Sequence, residues 1–383
     1  MTLHASIPAP AFLSTEEAAA VRLPLEAASF LPPRVYSDPA IFEAEWAGMF
    51  RSSWVPLCHV SQLREPGSYV ARNLFGEPVI AVRNKAGAVH VMSNVCRHRN
   101  ALLAQGSGQC RGSRLTCPYH GWTYGLDGQL LAAPHMEQAS DFARKDVKLP
   151  EVRHEIWQGF VFVNLDGSAP PLGAQLASLT PKVKPWRWED MRAIEIRRAR
   201  VPWNWKVSLE NFSEAYHQPF IHPETADRDY PAKTAIYEDS DGPYSVFWIP
   251  DRDGRQIPSV VPPIEGMPQD YYTSLGVVNV YPFLHIFTDA ATPLWLDWEI
   301  HGVDDHEMVW YVMVLEETLK THDVDKVVAD FMAFIEPILL EDVDVCRSVG
   351  MGVHSHSAVP GRLSHMEKAV HQFQNWWVDN FRI

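Results

Sequence analysis

Residues 54–167 alternate apolar and polar positions with a short period, and later segments add longer helical periods, so two kinds of architecture share the chain. GSYVARNL, EPVIAVRN and AVHVMSNV read as strands separated by Gly, Pro and Asn, and WQGFVFVNLDG adds a strand and a turn. Together they predict a small antiparallel β domain over 51–168. Residues 1–37, rich in Pro and Ala, predict an extended arm. Asp38-Pro39 then opens a helix over AIFEAEWAGMF with Pro at its first position, so arm and helix fill 1–50. Beyond the Pro-rich SAPPLGAQL the pattern changes. AIEIRRARV predicts a strand and WNWKVSLENFSEAYHQ a helix. Further strands are expected at DGPYSVFWI, VVNVYPFLHIF, LWLDWEIHGV and EMVWYVMVLEE. HDVDKVVADFMAF and ILLEDVDVCRSVG predict two helices, with Pro337 forcing a break between them. The expected fold is α+β: the antiparallel β domain, then a second domain over 169–383 with an antiparallel sheet flanked by helices.

Composition narrows the function classes. The net charge of -14, from 33 Lys plus Arg and 47 Asp plus Glu, argues against nucleic acid and against an anionic membrane as partner. No basic-then-apolar leader and no membrane-length apolar run is visible, so a cytoplasmic location is expected. Five cysteines, three of them clustered, read as metal chemistry in a reducing compartment instead of a disulfide framework.

The cluster has ligand spacing: Cys96-x-His98, eighteen residues, then Cys117-x-x-His120. Each pair is one Cys and one His, whereas zinc fingers pair Cys with Cys and His with His. The mixed arrangement suits a [2Fe–2S] cluster with two thiolates on one iron and two imidazoles on the other, which raises its potential. Pro118 and Gly121 permit tight turns whose amides can point at the sulfurs. A Cys2His2 zinc site is the alternative. Cys110, in the intervening loop, has no pair partner.

A second set of candidates follows. Asn211, Glu214 and His217 recur at intervals of three on the expected helix, and His222 lies beyond Pro219, so both histidines can approach one ion. A carboxylate would complete a 2-His-1-carboxylate site for Fe(II). In ILLEDVDVCRSVG, Asp342 shares a helix face with Ile338, Leu339, Val345, Cys346 and Val349, whereas Glu341 sides with Asp344 and Ser348 and reads as solvated.

CRHRN and CPYHGWTYGLDGQL resemble the cluster loops of the Rieske domain, and ENFSEAYHQPFIHP with EDVDVC is similar to the iron-binding segments of Rieske non-haem iron oxygenase α subunits. The resemblance implies a Rieske domain over 51–168 with Cys96, His98, Cys117 and His120 on a [2Fe–2S] cluster. It implies a catalytic domain over 169–383 with mononuclear Fe(II) on His217, His222 and Asp342. It further implies O2 as co-substrate and a homotrimer in which electrons pass between subunits. Glu214 takes the position of the carboxylate joining His120 of one subunit to His217 of the next. Many members carry Asp there; a minority acting on quaternary ammonium compounds share the Glu. Asn211 lies one residue closer to the first histidine than in some ring dioxygenases.

No Gly-rich dinucleotide fingerprint follows a strand, so NAD(P)H must be oxidised by a separate reductase carrying flavin and iron–sulfur, or by a ferredoxin system. The expected activity is hydroxylation, dihydroxylation or oxidative demethylation of a small organic molecule. Aromatic or cyclic substrates come slightly ahead, with a betaine- or carnitine-like quaternary ammonium compound as the alternative. A non-catalytic electron carrier or metal-binding module is the reading from another class. In LWLDWEIH, Leu296, Trp298 and Ile300 alternate with Trp295, Asp297 and Glu299, and with Phe247 and Trp248 these rings are candidates for lining a pocket. His354 and His356 read as a polar loop, and Cys58-His59 as half a ligand pair without a second half.

Overall fold

The computed structural model describes residues 12–256 and 259–381. Of the arm expected over 1–37, residues 1–11 lie outside the described residues. The chain forms two compact units. One comprises Phe50–Ile194 with Met313–Thr321, the other the described parts of Met1–Met49, Glu195–Val312 and His322–Ile383.

The first unit is built from short antiparallel sheets. Ser68–Leu74, Glu77–Arg83 and Val89–Ser93 pair in sequence, with Gly106–Gln109 on the outer edge of Ser68–Leu74. Val79, Ile80, Ala81 and Val82 are buried in succession because their strand lies between two neighbours. Val55–His59, Phe160–Asn164 and Arg153–Trp157 form a second sheet, and Arg114–Thr116, Thr123–Gly125 and Leu130–Ala132 a third. Cys96 and Cys117 belong to the core of this unit, packed with Ile80, Met92, Trp122 and Tyr124. Half-buried Cys110 packs against that core, and burial pushes its thiol up to about 11. His59 is a core histidine: Nδ1 meets the Ser61 hydroxyl at 2.9 Å and Nε2 the Trp188 carbonyl at 3.1 Å.

A seven-stranded antiparallel sheet dominates the second unit, in the order Met191–Val201, Asp305–Leu315, Leu294–Gly302, Leu284–Thr288, Ser274–Val280, Tyr244–Pro250, Ile236–Tyr237. VVNVYPFLHIF is two strands here, not one run: Tyr281-Pro282, with a cis peptide, sits at the turn between Ser274–Val280 and Leu284–Thr288. The alternation expected of LWLDWEIH does not sort solvent from core. Trp295, Asp297 and Trp298 are all buried because both faces of this central strand are covered.

Helices depart from expectation in several places. Thr15–Val21 is helical within the expected extended arm, started by a capping box between Ser14 and Glu17. Val324–Gly352 is one helix of 29 residues that runs through Pro337. A proline inside a helix costs about 3 kcal/mol, and burial of Val327, Phe331, Leu339, Cys346 and Gly350 along one stripe outweighs that. Gly350 takes the inward position that periodicity assigned to exposed Val349: a Cβ there would stand 2.5 Å from that of Trp203. Lys368–Asn380 forms a further helix behind the Ser364–Glu367 capping box, and WNWKVSLENFSEAYHQ is helical only over Trp205–Asn211.

That short helix is anchored by a buried ion pair. Lys206 Nζ lies 2.7 Å from Glu45 Oε1, both fully buried, and the indoles of Trp377 and Trp205 donate to the Glu45 carboxylate at 2.6 and 3.2 Å. Glu45 opens a π-helical turn, Glu45–Met49, in the segment expected as plain helix. Removing one partner strands the other charge. Glu45→Ala should therefore cost about 3–5 kcal/mol, read as a lower urea midpoint, and Glu45→Leu combined with Lys206→Met should recover most of it.

Candidate metal centres and substrate cavity

The two cluster loops share one construction. The Cys96 amide donates to the Ala101 carbonyl and the Cys96 carbonyl accepts from Asn100; the Cys117 amide donates to Trp122 and its carbonyl accepts from Gly121. Each closing residue has positive φ, 57° at Asn100 and 73° at Gly121, which Asn and Gly adopt most readily. Each loop thus presents a cysteine inward and a histidine outward. The Nδ1 atoms of His98 and His120 face one another at 3.1 Å, and the His98 ring stacks on Trp122. Tyr124 Oη lies 3.3 Å from Cys96 Sγ. Burial pushes the Cys117 thiol up, and the amides of Tyr119 and His120, pointing at its sulfur, work against that. Desolvation first, then the charges of His98 and Arg99, hold His120 below the ordinary imidazole range, a direction that favours the neutral ring a metal needs. Two thiols and two imidazole Nδ1 atoms, with amides aimed at sulfur, fit a mixed-ligand iron–sulfur cluster.

In the second unit, one donor atom each from His217, His222 and Asp342 lie within 4.8 Å of one another. Asp342 Oδ1 is 3.0 Å from His222 Nε2 and 3.5 Å from His217 Nε2, and it accepts from Asn211 Nδ2 at 2.9 Å. Each outer imidazole nitrogen meets a carboxylate: His217 Nδ1 meets Glu214 at 2.5 Å, and His222 Nδ1 meets Glu341 at 2.7 Å. Such partners orient a ligating imidazole and raise its basicity. Burial opposes a charged His222, yet Asp342 and Glu341 outweigh it and its basicity rises. The set stabilises positive charge, and three converging donors of the facial-triad type fit a ferrous ion.

Two sequence expectations change here. Glu214 and His217 do not continue the helix of Asn211; they sit in the turn after it. Glu214 accepts the backbone N–H groups of Tyr216 and His217, a local bond that competes with the helical ladder. Glu341 is not simply solvated: it also accepts from the Thr225 hydroxyl at 2.7 Å and supports His222. Helical spacing placed it off the core face without showing that the 222–225 loop covers that side. Glu341→Ala should weaken iron retention against a chelator by about 10–100-fold and leave the visible spectrum of the cluster unchanged.

The triad opens on a cavity of about 300 Å³ whose walls include Phe212, Phe247, Phe287, Phe331 and Ile338. Of the candidate rings, Phe247 lines it, whereas Trp248, Trp295 and Trp298 do not. His354 lies in a loop, 3.0 Å from Asp304. The donors Glu299, His301 and Glu307 also converge, but Arg198 bridges both glutamates at 3.1 and 2.7 Å.

Cluster loops on a β unit and a two-histidine, one-aspartate site on an α+β unit define the class. The chain belongs to the Rieske non-haem iron oxygenases as an α subunit: residues 53–151 match the Rieske [2Fe-2S] domain and residues 186–382 the ring hydroxylating alpha subunit (catalytic domain). Among individual proteins, it is 35% identical over 204 residues to the carnitine monooxygenase oxygenase subunit of Escherichia coli (strain K12), which is 51% of this chain and 53% of that one. It is 27% identical over 368 residues to the chloroplastic choline monooxygenase of Spinacia oleracea, 93% of this chain and 79% of that one. The chain spans about half the length of the carnitine and glycine betaine monooxygenase subunits it matches. Its fold is that of a quaternary ammonium Rieske monooxygenase structure described for carnitine oxidation and inter-subunit electron transfer, with a TM-score of 0.81 at 21% identity over 97% of this chain and 99% of that one.

Proposed function

We propose that this chain is the terminal oxygenase of a quaternary-ammonium monooxygenase. The observation that carries the reading is the His217, His222 and Asp342 triad at the wall of a mostly apolar cavity. The relatives named for carnitine, glycine betaine and choline favour the ammonium class over aromatic hydroxylation.

When bound, the [2Fe–2S] group supplies single electrons and the mononuclear iron supplies the place where O2 is reduced. Cys96, Cys117, His98 and His120 would hold the former; His217, His222 and Asp342 the latter. Asn211 fixes the Asp342 carboxylate, and Glu341 holds the Nδ1 proton of His222 so that Nε2 stays a donor. Glu214 does the same for His217. The phenylalanine walls exclude water and hold an alkyl carbon at the triad. One oxygen atom enters a C–H bond of the substrate; the other leaves as water, with two electrons and two protons from the reductase and solvent. In a homotrimer, Glu214 would also meet His120 of a neighbouring copy and provide the path between the two metal groups. Among the described residues, no helix is long and apolar enough to cross a membrane.

The test is NADH-driven oxygen uptake with a partner reductase over a panel of methylated ammonium compounds and aromatic acids. Substrate-dependent uptake with an ammonium compound, matched by an oxygenated or demethylated product, is the expected result. Coupled uptake with aromatic acids alone would return the chain to the ring-hydroxylating reading, which the phenylalanine-lined cavity also accommodates.

A further inference from the structure

Most polar side chains on the wall of the triad's cavity are already engaged. Asn211 and Glu214 serve the triad, and Thr225 is bonded to Glu341. Asp229 pairs with Arg228 at 2.7 Å, and the Thr292 hydroxyl donates to Asp289 at 3.0 Å and meets that of Ser259 at 3.4 Å. Two wall residues stand apart, Gln218 and Tyr230. Gln218 opens the short helix Gln218–Ile221 and is 8% exposed, and its side-chain oxygen is buried without a hydrogen-bond donor. Its amide nitrogen has no partner among the described residues either, and a half-turn of the amide exchanges the two ends. Tyr230 is 5% exposed, its ring packed in one core cluster with Phe247, Val277 and Ala215. Its hydroxyl has no hydrogen-bond partner among the described residues. Burial pushes the phenol well above its ordinary range, so it keeps its proton and stays a donor. Ala215 links the two residues: it shares the core cluster of Tyr230, and its carbonyl accepts the Gln218 backbone N–H at 3.2 Å. Buried groups with unmade hydrogen bonds are costly, and a ligand that completes them recovers that cost.

We infer that Tyr230 and Gln218 bind a hydroxyl group of the substrate, and that the cavity therefore prefers a hydroxylated ammonium compound to the same compound without the hydroxyl. This rests on the proposed ammonium chemistry and narrows it. The phenol donates to the hydroxyl oxygen, and the Gln218 carbonyl accepts the hydroxyl proton. A hydroxyl suits this pair because it both donates and accepts. An alkyl chain in its place leaves both protein groups unsatisfied. A carboxylate would offer no proton to the Gln218 carbonyl and would bring a charge to a wall that, among the described residues, holds no lysine or arginine. Tyr230 and Gln218 are specificity-determining residues, whereas Asn211, Glu214 and Glu341 hold the metal ligands.

Calorimetric binding to the iron-loaded full chain tests it with two pairs of probes that differ only in a hydroxyl: choline against ethyltrimethylammonium, and L-carnitine against γ-butyrobetaine. Benzoate is the control for the ring-hydroxylating reading. In at least one pair the hydroxylated member is expected to bind about 10–100-fold more tightly. Tyr230→Phe and Gln218→Met, which keep ring and chain length, should each cut that preference about 3–10-fold while the hydroxyl-free member keeps its affinity. No preference in either pair, or a wild-type preference in either variant, overturns the inference and leaves the ammonium reading standing. Equal loss of both members of a pair in a folded variant overturns it too, since that marks a reshaped cavity instead of a lost bond. Binding of benzoate with no ammonium probe bound, or no binding of any probe, removes both. The wild-type pairs decide the matter even if a variant does not fold.

Discussion

Replacing His217 by alanine is expected to give a red-brown protein with a normal cluster spectrum and no substrate-driven oxygen uptake. The two proposed ligand sets lie in separate units of the chain, so damage to one set should leave the other whole. The cluster loops are closed by their own backbone bonds at Asn100 and Gly121, and nothing in them refers to residue 217. In the triad, by contrast, His217 is one donor of three, and the remaining pair of His222 and Asp342 cannot define a facial site. Iron analysis should show the cluster's share of about two irons per chain retained and the mononuclear iron reduced or lost. Oxygen uptake that survives with substrate and reductase present would mean the triad is not where O2 is reduced. The chain would then be an electron carrier on an oxygenase scaffold.

Glu214→Gln should produce a different defect: both metals present, substrate bound, and electron transfer slowed toward the upper end of the ~10–100-fold range seen when partners of metal ligands are removed. The Glu214 carboxylate is the acceptor for His217 Nδ1 and for two backbone amides, and glutamine keeps an oxygen for part of this work. What glutamine lacks is the negative charge that the carboxylate would supply in its proposed place between His217 and His120 of a neighbouring copy. Stopped-flow reoxidation of the reduced cluster by oxygen with substrate bound reads this step directly. Wild-type reoxidation in the variant would exclude Glu214 from the route between metals.

Both tests target residues that the sequence marks, His217 by its spacing from His222 and Glu214 by the resemblance to the family's bridging carboxylate, and much of the rest is legible for a physical reason. Ligands that share a short loop must be close in sequence, as in Cys96-x-His98 and Cys117-x-x-His120, so their geometry is written locally. Asp342 was reachable too, because a helix face repeats every three to four residues and Asp342 fell on the apolar one. Glu341 was not. Its role depends on the 222–225 loop lying against a side of the helix that periodicity marks as polar. The helix stop at Asn211 escaped notice because no Gly or Pro precedes Pro219; the breaker is the Glu214 side chain, bonding forward to amides the helix would otherwise use. Pro337 misled in the opposite sense, since packing along a long stripe overrides one missing bond. Buried Lys206 and Glu45 lie 161 positions apart, and no local pattern links them.

The 29-residue helix contributes just one donor to the triad, and that donor comes 120 positions after His222. Iron bound at the triad would act as a rivet between a locally formed loop and a late-arriving rod. Whatever free energy the ion gains on binding is also the work needed to peel that rod away. Amide exchange along the helix and chelator resistance at the metal are two gauges on a single spring, and softening either must show on the other.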